Sequence, residues 1–399
     1  MAEGARAPGA SSEATASAME RYFAPCPRGL ESALADELTS LGAGSLAAVD
    51  GGVGFEGALS LAYRANLGSR LASRILWQVG GGAYRNERDI YDLAYALDWP
   101  RWFRADRSLR VDVAATRSPL KSLEFATLRI KDAVCDRHRA ASGKRPSVSK
   151  ERPDVRVHAH LTAARATFYL DTSGEPLFKR GYRRETSEAP LRENLAAGLV
   201  RLSGWRPGTP LVDPFCGTGT IAIEAAWIAL DIAPGLKRSF GFQKLGWYDG
   251  PTWQRIKQAA QRRMKPPEPM SILASDDDPL AIRQCASHLA AAGVEGAVAL
   301  ERADALTRTA PANAGTIVTN PPYGVRLERS AELAALYPRL GDTLKQRFAG
   351  WTAYILSGDP RLPKLIGLRA SRRTPLYNGA LECRLYEYRL IAGSARMIK

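Results

Sequence analysis

The residues with the most specific chemistry follow the apolar stretch Thr316–Thr319 and read Asn320, Pro321, Pro322 and Tyr323. Proline has no backbone donor and fixes its φ angle, so a strand must end here in a rigid loop rich in acceptors. The side-chain oxygen of Asn320 and the carbonyl of Pro321 can both accept hydrogen bonds from one planar NH₂ group, while the Tyr323 ring offers a stacking face to a flipped base. We therefore predict that these four residues form a catalytic site for the exocyclic amine of a base.

Transfer of a group to nitrogen is the chemistry that such a loop supports. The lone pair of an amine on a base is delocalised into the ring, so the amine is a weak nucleophile. Two acceptors on its N–H bonds favour the positive charge that develops on nitrogen during attack. Proximity and orientation supply most of the remaining rate, so no strong general base is required, and none is obvious in the sequence.

A glycine-containing loop follows a strand predicted at Pro210–Pro214. Open α/β sheets bind ligands at the carboxyl ends of their strands, and Gly217 and Gly219 let the backbone approach a ligand closely. The dinucleotide fingerprint requires a third glycine where this chain has Ala222. The glycine spacing alone is therefore a weak signal and leaves the ligand open.

Carboxylates end the next two predicted strands. Asp276 follows the strand at 271–275 and can accept both ribose hydroxyls of an adenosine, whereas Asp278 is better placed to cap the next helix. Asp304 follows the strand at 297–302 and can accept an adenine amino group. Taken alone, the triple Asp is more typical of a capping cluster, and Asp304 is equally well explained as a surface acid.

The net charge is +15, and over half of the excess lies in residues 101–200. Residues 101–150 alone contain 13 basic and 5 acidic side chains. A localised basic region attracts phosphates and releases counterions on binding, although an ordinary solvated surface has the same composition. A second basic run, Lys179–Arg184, is interrupted by one tyrosine. The predicted RNA-binding side chains are Arg129, Lys131, Arg137, Arg139, Lys144, Arg145, Arg180 and Arg183.

Other features limit the class of protein. The five cysteines are scattered without a C-x-x-C pair, which argues against a disulfide framework and a zinc site. We therefore expect no metal and a reducing, cytoplasmic location. No run of about 18 apolar residues is present, so we expect no membrane span. Residues 1–18 lack the apolar core of a signal peptide and are predicted to be a disordered tail.

The order of predicted elements divides the chain. A strand, a helix and a strand within residues 22–56 predict a small β-α-β unit, and the mixed pattern up to 171 predicts a compact α+β region that carries the basic surface. From about 190 helices and strands alternate, which predicts a largely parallel sheet with helices on both faces. Asn378 and Gly379 predict a C-terminal hairpin that adds antiparallel strands. The stretch 236–269 is an apparent insertion, whose Trp and Tyr side chains we expect in a small core rather than against RNA.

Together these motifs resemble a known family. The D-P-F-C-G-T-G-T loop, the S-D-D-D turn and the N-P-P-Y-G strand end are similar to those of class I methyltransferases of the THUMP-containing RNA group. Further similar stretches are Gly51–Phe55, Ser69–Arg74, Ile130–Ala133, Arg180–Arg183, Ser203–Trp205, Ile223–Ala226 and Ala233–Gly235. Within the group the chain is particularly similar to bacterial large-subunit rRNA guanine-N2 methyltransferases. This resemblance implies methylation of guanine N2 in 23S ribosomal RNA, S-adenosylmethionine as the cofactor and ribosomal RNA as the partner.

The resemblance also implies individual roles and a domain plan. The cofactor-binding residues would be Asp213, Phe215, Cys216, Gly217, Thr218, Gly219, Thr220, Asp276, Asp304 and Asn320. The segment Ala189–Asn194 would come near the cofactor, and Asn320–Tyr323 would hold the target base. The implied fold is a Rossmann-like class I methyltransferase domain of α/β type preceded by an α+β ferredoxin-like and THUMP region. The implied units are 1–18 as the disordered tail, 19–60 as the N-terminal ferredoxin-like part, 61–173 as the THUMP RNA-binding domain, 174–189 as the linker and 190–399 as the catalytic domain.

Several alternatives stay open. The same chemistry on tRNA is the nearest, followed by N6-adenine methylation of DNA or N5-glutamine methylation of a protein, which use similar strand ends. A non-catalytic RNA-binding or assembly factor is a third class. The basic region favours RNA over protein, and the intact Asn320, Asp276 and glycine loop argue against a non-catalytic factor. Because no second methyltransferase domain precedes Lys399, we expect a single modification, and no obligate protein partner is evident.

Overall fold

The computed structural model describes residues 19–183, 191–323 and 327–391. The predicted tail and linker residues 184–190 lie outside the described residues. The strands are β1 (Glu20–Pro25), β2 (Gly44–Val49), β3 (Gly52–Gly57), β4 (Leu76–Ala83), β5 (Leu109–Ala115), β6 (Val155–Leu161), β7 (Arg165–Asp171), β8 (Leu211–Asp213), β9 (Ile272–Asp276), β10 (Ala299–Arg302), β11 (Thr316–Thr319), β12 (Thr352–Ser357), β13 (Arg372–Asn378) and β14 (Leu381–Arg389). The α-helices are α1 (Glu31–Ser40), α2 (Leu59–Gly68), α3 (Glu87–Tyr95), α4 (Trp99–Trp102), α5 (Leu123–Ser142), α6 (Glu193–Leu202), α7 (Thr220–Ala229), α8 (Gly250–Arg263), α9 (Pro279–Ala292), α10 (Leu327–Arg347) and α11 (Leu362–Leu365).

The first sheet has the strand order β2-β3-β1-β4-β7-β6-β5 and is antiparallel except where β5 pairs with β6. Strand β1 pairs with both β3 and β4, so the predicted ferredoxin-like part and the predicted THUMP region share one continuous sheet. The expected β-α-β unit therefore contains an additional strand, β2. This strand lies at the sheet edge and is largely exposed, so it lacks the alternation of apolar residues that identifies a half-buried strand.

The second sheet has the order β10-β9-β8-β11-β12-β14-β13. Strands β10 to β12 in this order are parallel, and β14 runs antiparallel to β12 and to the edge strand β13. This arrangement confirms the predicted parallel sheet with a C-terminal antiparallel hairpin. Asn378 pairs with Leu381, so the two loop residues are Gly379 and Ala380 rather than Asn378 and Gly379. Gly379 takes the positive φ of 66° that the tight turn needs.

Local capping explains where the helices beside the second sheet begin and end. The side chain of Asp278 accepts a hydrogen bond from the Leu280 backbone N–H at 2.8 Å, which confirms Asp278 as the cap of α9. Gly293, with φ of 76°, ends the same helix in the left-handed conformation. These short-range signals place the start of α9 directly after β9, at the carboxyl edge of the sheet.

The insertion at 236–269 packs onto the N-terminal unit. The Tyr63 ring lies 4.6 Å from Phe242, 5.5 Å from Trp247 and 6.1 Å from Trp253, measured between ring centroids. Tyr63 belongs to α2, so this aromatic cluster joins the insertion to the first sheet's helices. The expectation of a small core is confirmed, and the cluster fixes the position of the catalytic unit relative to the N-terminal unit.

The described part of the predicted linker buries some of its side chains, among them Leu177, Arg180 and Tyr182. Tyr182 is fully buried with its ring 5.3 Å from that of Trp227 in α7. The Arg74 side chain forms an ion pair with Asp171 and donates to the Gly174 carbonyl, which fixes the start of this segment. Residues 174–183 therefore form part of the interface between the two sheets.

Three global properties follow from the described residues. None of their helices combines the length and apolar character needed to cross a membrane. No cluster of three His, Cys, Asp or Glu side chains among them is arranged to hold a metal ion. The five cysteines are all buried and none forms a disulfide.

Candidate active site

The glycine loop lies at the carboxyl end of β8, between Asp213 and the start of α7. Gly217 and Gly219 have φ angles of 51° and 84°, a left-handed conformation that glycine adopts without strain. A Cβ at Gly219 would lie 2.4 Å from the Sγ of Cys285 on α9. Only glycine therefore allows the loop to turn and to pack directly onto α9.

Two neighbouring side chains hold the loop in place. The N–H of Gly217 donates to Oδ2 of Asp276 at 2.9 Å, and Oδ1 of Asp276 accepts from the N–H of Asp278 at 3.1 Å. Nδ1 of the buried His288 lies 3.1 Å from the carbonyl oxygen of Thr218. Burial raises the pKa of the Asp276 carboxyl. Asp276 thus joins the glycine loop to the turn that follows β9, and only its remaining lone pairs can reach a ligand.

An open cavity of about 420 Å³ lies between the glycine loop, the first turns of α9 and the end of β11. Thr220, the first residue of α7, lines it, so the positive end of a ten-residue helix meets the cavity. Leu280 and Ala281 supply an apolar wall, and Asp213 and Asp278 supply carboxylates. The helix N-terminus suits a ligand carboxylate, and the acidic side chains suit a cationic group. The cavity therefore suits an elongated ligand that carries both groups.

The predicted catalytic loop begins at the edge of this cavity. Asn320 follows the last residue of β11 and lines the cavity. Its Oδ1 is buried and accepts no hydrogen bond from any described residue. A buried acceptor without a donor costs about 1–3 kcal/mol. This oxygen is therefore placed to accept a donor that a ligand would bring.

The C-terminal hairpin and α10 support the rest of the loop. The Tyr337 hydroxyl donates to the carbonyl of Pro322 at 3.4 Å. The thiol of Cys383, on β14 of the hairpin, donates to the Tyr323 hydroxyl across 3.8 Å. Burial raises the pKa of Tyr323, so the phenol stays neutral. These contacts hold the Tyr323 ring in one orientation beside the cavity.

Asp213 joins the glycine loop to the catalytic loop. Its Oδ1 accepts from the Thr319 hydroxyl at 2.7 Å and from the Phe215 N–H at 3.3 Å. Thr319 immediately precedes Asn320, and both Asp213 and Thr319 are 1% exposed. Burial raises the pKa of the Asp213 carboxyl to about 7. One buried carboxyl group therefore sets the spacing between the two halves of the site.

Residues 180–387, just over half of the chain, match the family described as RMKL-like, methyltransferase domain. The chain belongs to this methyltransferase family. The N-terminal unit matches the RlmL ferredoxin-like domain over residues 21–76 and the THUMP domain over residues 84–171. These matches, with the two sheets, confirm the predicted class I methyltransferase domain preceded by ferredoxin-like and THUMP regions. The exact unit boundaries proposed from the sequence stay predictions.

Relatives and solved structures extend over both units. The Ribosomal RNA large subunit methyltransferase K/L of Shewanella baltica (strain OS185) is 42% identical over 385 residues, which cover 95% of this chain and 54% of that protein. The crystal structure of SMU.472, a methyltransferase complexed with SAH, is 29% identical with a TM-score of 0.85 and covers 96% of this chain and 99% of its own. A Listeria monocytogenes str. 4b F2365 structure, described as a predicted N6-adenine-specific DNA methylase, is 29% identical with a TM-score of 0.85, covering 94% and 97%. The chain spans about half the length of the curated relatives it matches.

Most of the predicted cofactor residues of this methyltransferase meet at one cavity. The predicted residues that line it are Asp213, Phe215, Cys216, Gly217, Thr218, Thr220 and Asn320. Gly219 turns the chain into α7, and Asp276 lies behind Gly217. Asp304 is exposed and accepts from the Leu306 N–H at 2.8 Å, outside the lining. The roles of Asp276 and Asp304 in holding an adenosine stay predictions.

Two of the predicted RNA-binding arginines are used inside the protein. Arg180 is 1% exposed, and its Nε lies 3.2 Å from Oε1 of the buried Glu224. The prediction that Arg180 contacts RNA is wrong, because its guanidinium is enclosed with a counterion. Arg183 is half-buried, pairs with Glu193 at 3.3 Å and donates to the Thr220 hydroxyl at 3.0 Å. It therefore braces the start of α7 beside the cofactor cavity.

The other six candidates lie on or just after α5. Four of them pair with carboxylates: Lys131 and Arg145 with Asp132 at 2.9 and 3.2 Å, Arg137 with Asp98 at 3.8 Å, and Arg139 with Asp136 at 3.7 Å. The Arg129 guanidinium lies 4.4 Å from the centroid of the Tyr91 ring, and Lys144 is exposed. The ion pairs neutralise part of the basic region, and its role in binding RNA stays a prediction.

Some lining residues were not identified from the sequence. Leu280, Ala281 and Gln284 belong to the first turns of α9, and Ile221 belongs to the first turn of α7. Each lies within about two helical turns of a loop that the sequence assigned to the cofactor. Helix periodicity counted from the predicted cap at Asp278 could have found the three residues of α9.

Proposed function

We propose that this methyltransferase transfers a methyl group from S-adenosylmethionine to the N2 amine of a guanine in large-subunit (23S) ribosomal RNA. The observation that carries the proposal is Asn320, which lines the same cavity as the glycine loop and whose buried Oδ1 has no donor among the described residues. An exocyclic amine supplies such a donor. The SAH bound to SMU.472 and the name of the Shewanella baltica relative support the cofactor and the ribosomal substrate.

The cavity residues fit S-adenosylmethionine. The amino end of α7 at Thr220 suits the methionine carboxylate, and the carboxyl group of Asp213 lies close enough to the loop to accept from its ammonium group. Leu280 and Ala281 offer apolar contact to the adenosine, for which Asp276 is the proposed ribose partner. When bound, S-adenosylmethionine supplies an electrophilic methyl group on a sulfonium.

The protein contributes acceptors and orientation to the reaction. Asn320 Oδ1 and the Pro321 carbonyl accept the two N–H bonds of the guanine amine, which directs its lone pair and stabilises positive charge developing on nitrogen. Tyr323 stacks against the base and keeps it in plane with these acceptors. The proton leaves to solvent after transfer, so a residue with a matched pKa is unnecessary. Orientation by a rigid loop supplies the larger part of the rate.

RNA is the substrate class that the N-terminal unit favours. The THUMP match covers the α+β region with the basic helix α5, which suits attraction of phosphates. N6-adenine methylation of DNA is the second candidate, because a structure with that description is 29% identical and the same acceptors suit an adenine amine. The proposed place of action is the cytoplasm, on ribosomal RNA that is naked or in early assembly.

Asn320→Ala tests the proposal, with Asn313→Ala as the matched control on the exposed loop before the same strand. We expect Asn320→Ala to lower turnover by about 100-fold or more, as when one transition-state partner is removed, while calorimetry shows unchanged S-adenosylmethionine affinity. The substrates are unmodified transcripts of 23S rRNA, tRNA and duplex DNA. Mass spectrometry should detect N2-methylguanine in 23S rRNA alone. Near-normal turnover by Asn320→Ala would contradict the mechanism. Methylation of duplex DNA alone would contradict the proposed rRNA substrate and favour DNA.

A further inference from the structure

A row of neighbouring cavities extends from the cofactor cavity to the N-terminal unit. The cofactor cavity shares Leu191 with a second cavity of about 360 Å³. The second cavity shares Arg192, Asn378 and Gly379 with a third of about 360 Å³, which reaches Arg28. We call these two outer cavities the hairpin trench, because the turn between β13 and β14 lies between them. One end of the trench therefore opens beside the methyl-transfer site, and the other opens on the ferredoxin-like region.

The hairpin trench is lined by more positive than negative charge. Its lining contains Arg28, Lys179, Arg183 and Arg192, and one carboxylate, Glu193. Glu193 is buried and pairs with Arg183 at 3.3 Å, so it does not offset the other three cations. Arg28, Lys179 and Arg192 are exposed. A groove with this charge attracts a phosphate backbone.

Aromatic rings hold two of these cations in place. The Arg192 guanidinium lies 5.0 Å from the centroid of the Phe178 ring, and the Arg28 guanidinium lies 5.6 Å from that of Tyr377. A guanidinium that stacks on a ring keeps its N–H donors free for a phosphate, whereas one paired with a carboxylate does not. Arg28 also forms an ion pair with Asp50 at 3.3 Å. Both side chains are more than half exposed, so this pair is weak and competes little with a phosphate for the Arg28 guanidinium.

The trench also has a direct connection to the target-base loop. Asn378 lines the trench at the end of β13, and the Cys383 thiol on β14 of the same hairpin donates to the Tyr323 hydroxyl across 3.8 Å. A Cβ at Gly379 would lie 3.5 Å from an Arg192 guanidinium nitrogen, so Arg192 lies against the turn itself. The turn that contacts Arg192 therefore belongs to the same hairpin that contacts Tyr323.

We propose that the hairpin trench binds the single-stranded RNA beside the target guanine, with Arg192 and Arg28 holding successive phosphates. This inference rests on the proposed RNA substrate and identifies the path that the strand takes from the catalytic loop. It places the main contact with the unpaired strand at the hairpin and the ferredoxin-like region rather than on α5. The flipped base leaves this strand near Leu191, the residue that lines both the trench and the cofactor cavity.

The Arg28→Ala/Arg192→Ala double variant tests the path. The matched control is Arg206→Ala/Arg255→Ala, which removes two exposed arginines of the catalytic unit outside the trench. The probes are a single-stranded RNA of about a dozen nucleotides, its duplex form and the 23S transcript. Binding is followed by fluorescence anisotropy over a salt series, methyl transfer by KM and kcat, and S-adenosylmethionine affinity by calorimetry.

Loss of two phosphate contacts should make the slope of log affinity against log salt less steep by about 1.4 for the single strand. The KM for the 23S transcript should rise roughly tenfold, with kcat and S-adenosylmethionine affinity unchanged. The opposite result is that the double variant shows the same salt slope and the same KM as the control while wild type still methylates the transcript. That result would overturn the proposed RNA path and leave the proposed function standing. Wild type that neither binds nor methylates any RNA overturns the proposed function and the path with it.

Discussion

Replacing Asp213 with asparagine should change how the stability of the protein depends on pH. The Asp213 carboxyl is 1% exposed, and its ordinary pKa of 3.8 is raised to about 7 by burial. The hydrogen bonds from Thr319 and Phe215 oppose this shift but do not cancel it. Between these two values the folded protein keeps a proton that the unfolded chain has released.

The sign and size of the effect follow from that difference. A carboxyl whose pKa is higher in the folded state contributes stability fully below about 3.8, and this contribution is lost as the pH rises through about 7. At 1.36 kcal/mol for each pKa unit, the interval corresponds to about 4 kcal/mol in total. Between pH 5 and 7 wild type should lose about 2 to 3 kcal/mol relative to Asp213→Asn, because asparagine does not ionise.

Urea unfolding of both proteins at pH 5, 6, 7 and 8 measures this difference. The free energy of unfolding of wild type minus that of Asp213→Asn should fall by about 1.4 kcal/mol per pH unit up to pH 7 and then level off. Asn313→Ala, an exposed substitution that changes no ionisable group, is the control and should show a constant difference from wild type. A constant difference for Asp213→Asn as well would refute the argument that this carboxyl is protonated in the folded protein.

Three further substitutions test other parts of the structure. Gly219→Ala places a Cβ 2.4 Å from a cysteine sulfur and should weaken S-adenosylmethionine binding, measured by calorimetry, at least about tenfold. The control is Gly208→Ala, which has φ of 90° and no atom within 4 Å of its Cβ, and it should leave this affinity unchanged. Glu224→Gln leaves the guanidinium of Arg180 buried without its charge partner and should lower the free energy of unfolding by about 3 kcal/mol; a loss below about 1 kcal/mol in urea would contradict this. Trp253→Ala removes the aromatic cluster of the insertion and should cost about 3–5 kcal/mol without changing cofactor affinity, so a changed affinity would contradict its placement outside the site.

Local chemistry made the ends of the strands in the catalytic unit predictable. Asp278 before a proline identifies a helix start, and Gly293 identifies its end, because capping depends on neighbours within a few residues. The catalytic loop at Asn320 could be recognised for the same reason, since two prolines stop a strand whatever surrounds it. Parallel order then brings the loop ends after β8, β9 and β11 to one edge of the sheet, so the meeting of these loops at one cavity was predictable in outline, and its use by the cofactor stays a prediction.

Long-range pairing was not predictable. Arg180 lies in a run of charges that is typical of a solvated surface, yet it is buried because Glu224, 44 residues further on, reaches it inside the fold. The hydrogen bond between Asp213 and Thr319 spans 106 residues. The sequence indicated Asp213 only as a ligand to the cofactor and did not indicate its contact with the catalytic loop. The residue types of two partners do not show whether the pair is buried or exposed. These contacts can therefore be identified only in the tertiary structure.

The position of the C-terminal hairpin shows why the two units act together. At Gly29 a Cβ would lie 2.2 Å from the carbonyl oxygen of Pro375, so the ferredoxin-like region packs directly on β13. The other strand of the same hairpin supplies the Cys383 thiol to the hydroxyl of Tyr323. A shift of the N-terminal unit would therefore move the Tyr323 ring, for which we propose contact with the target base. The N-terminal unit is thus a structural support of the catalytic loop, and on the proposed function RNA seated across both units would hold the hairpin in position.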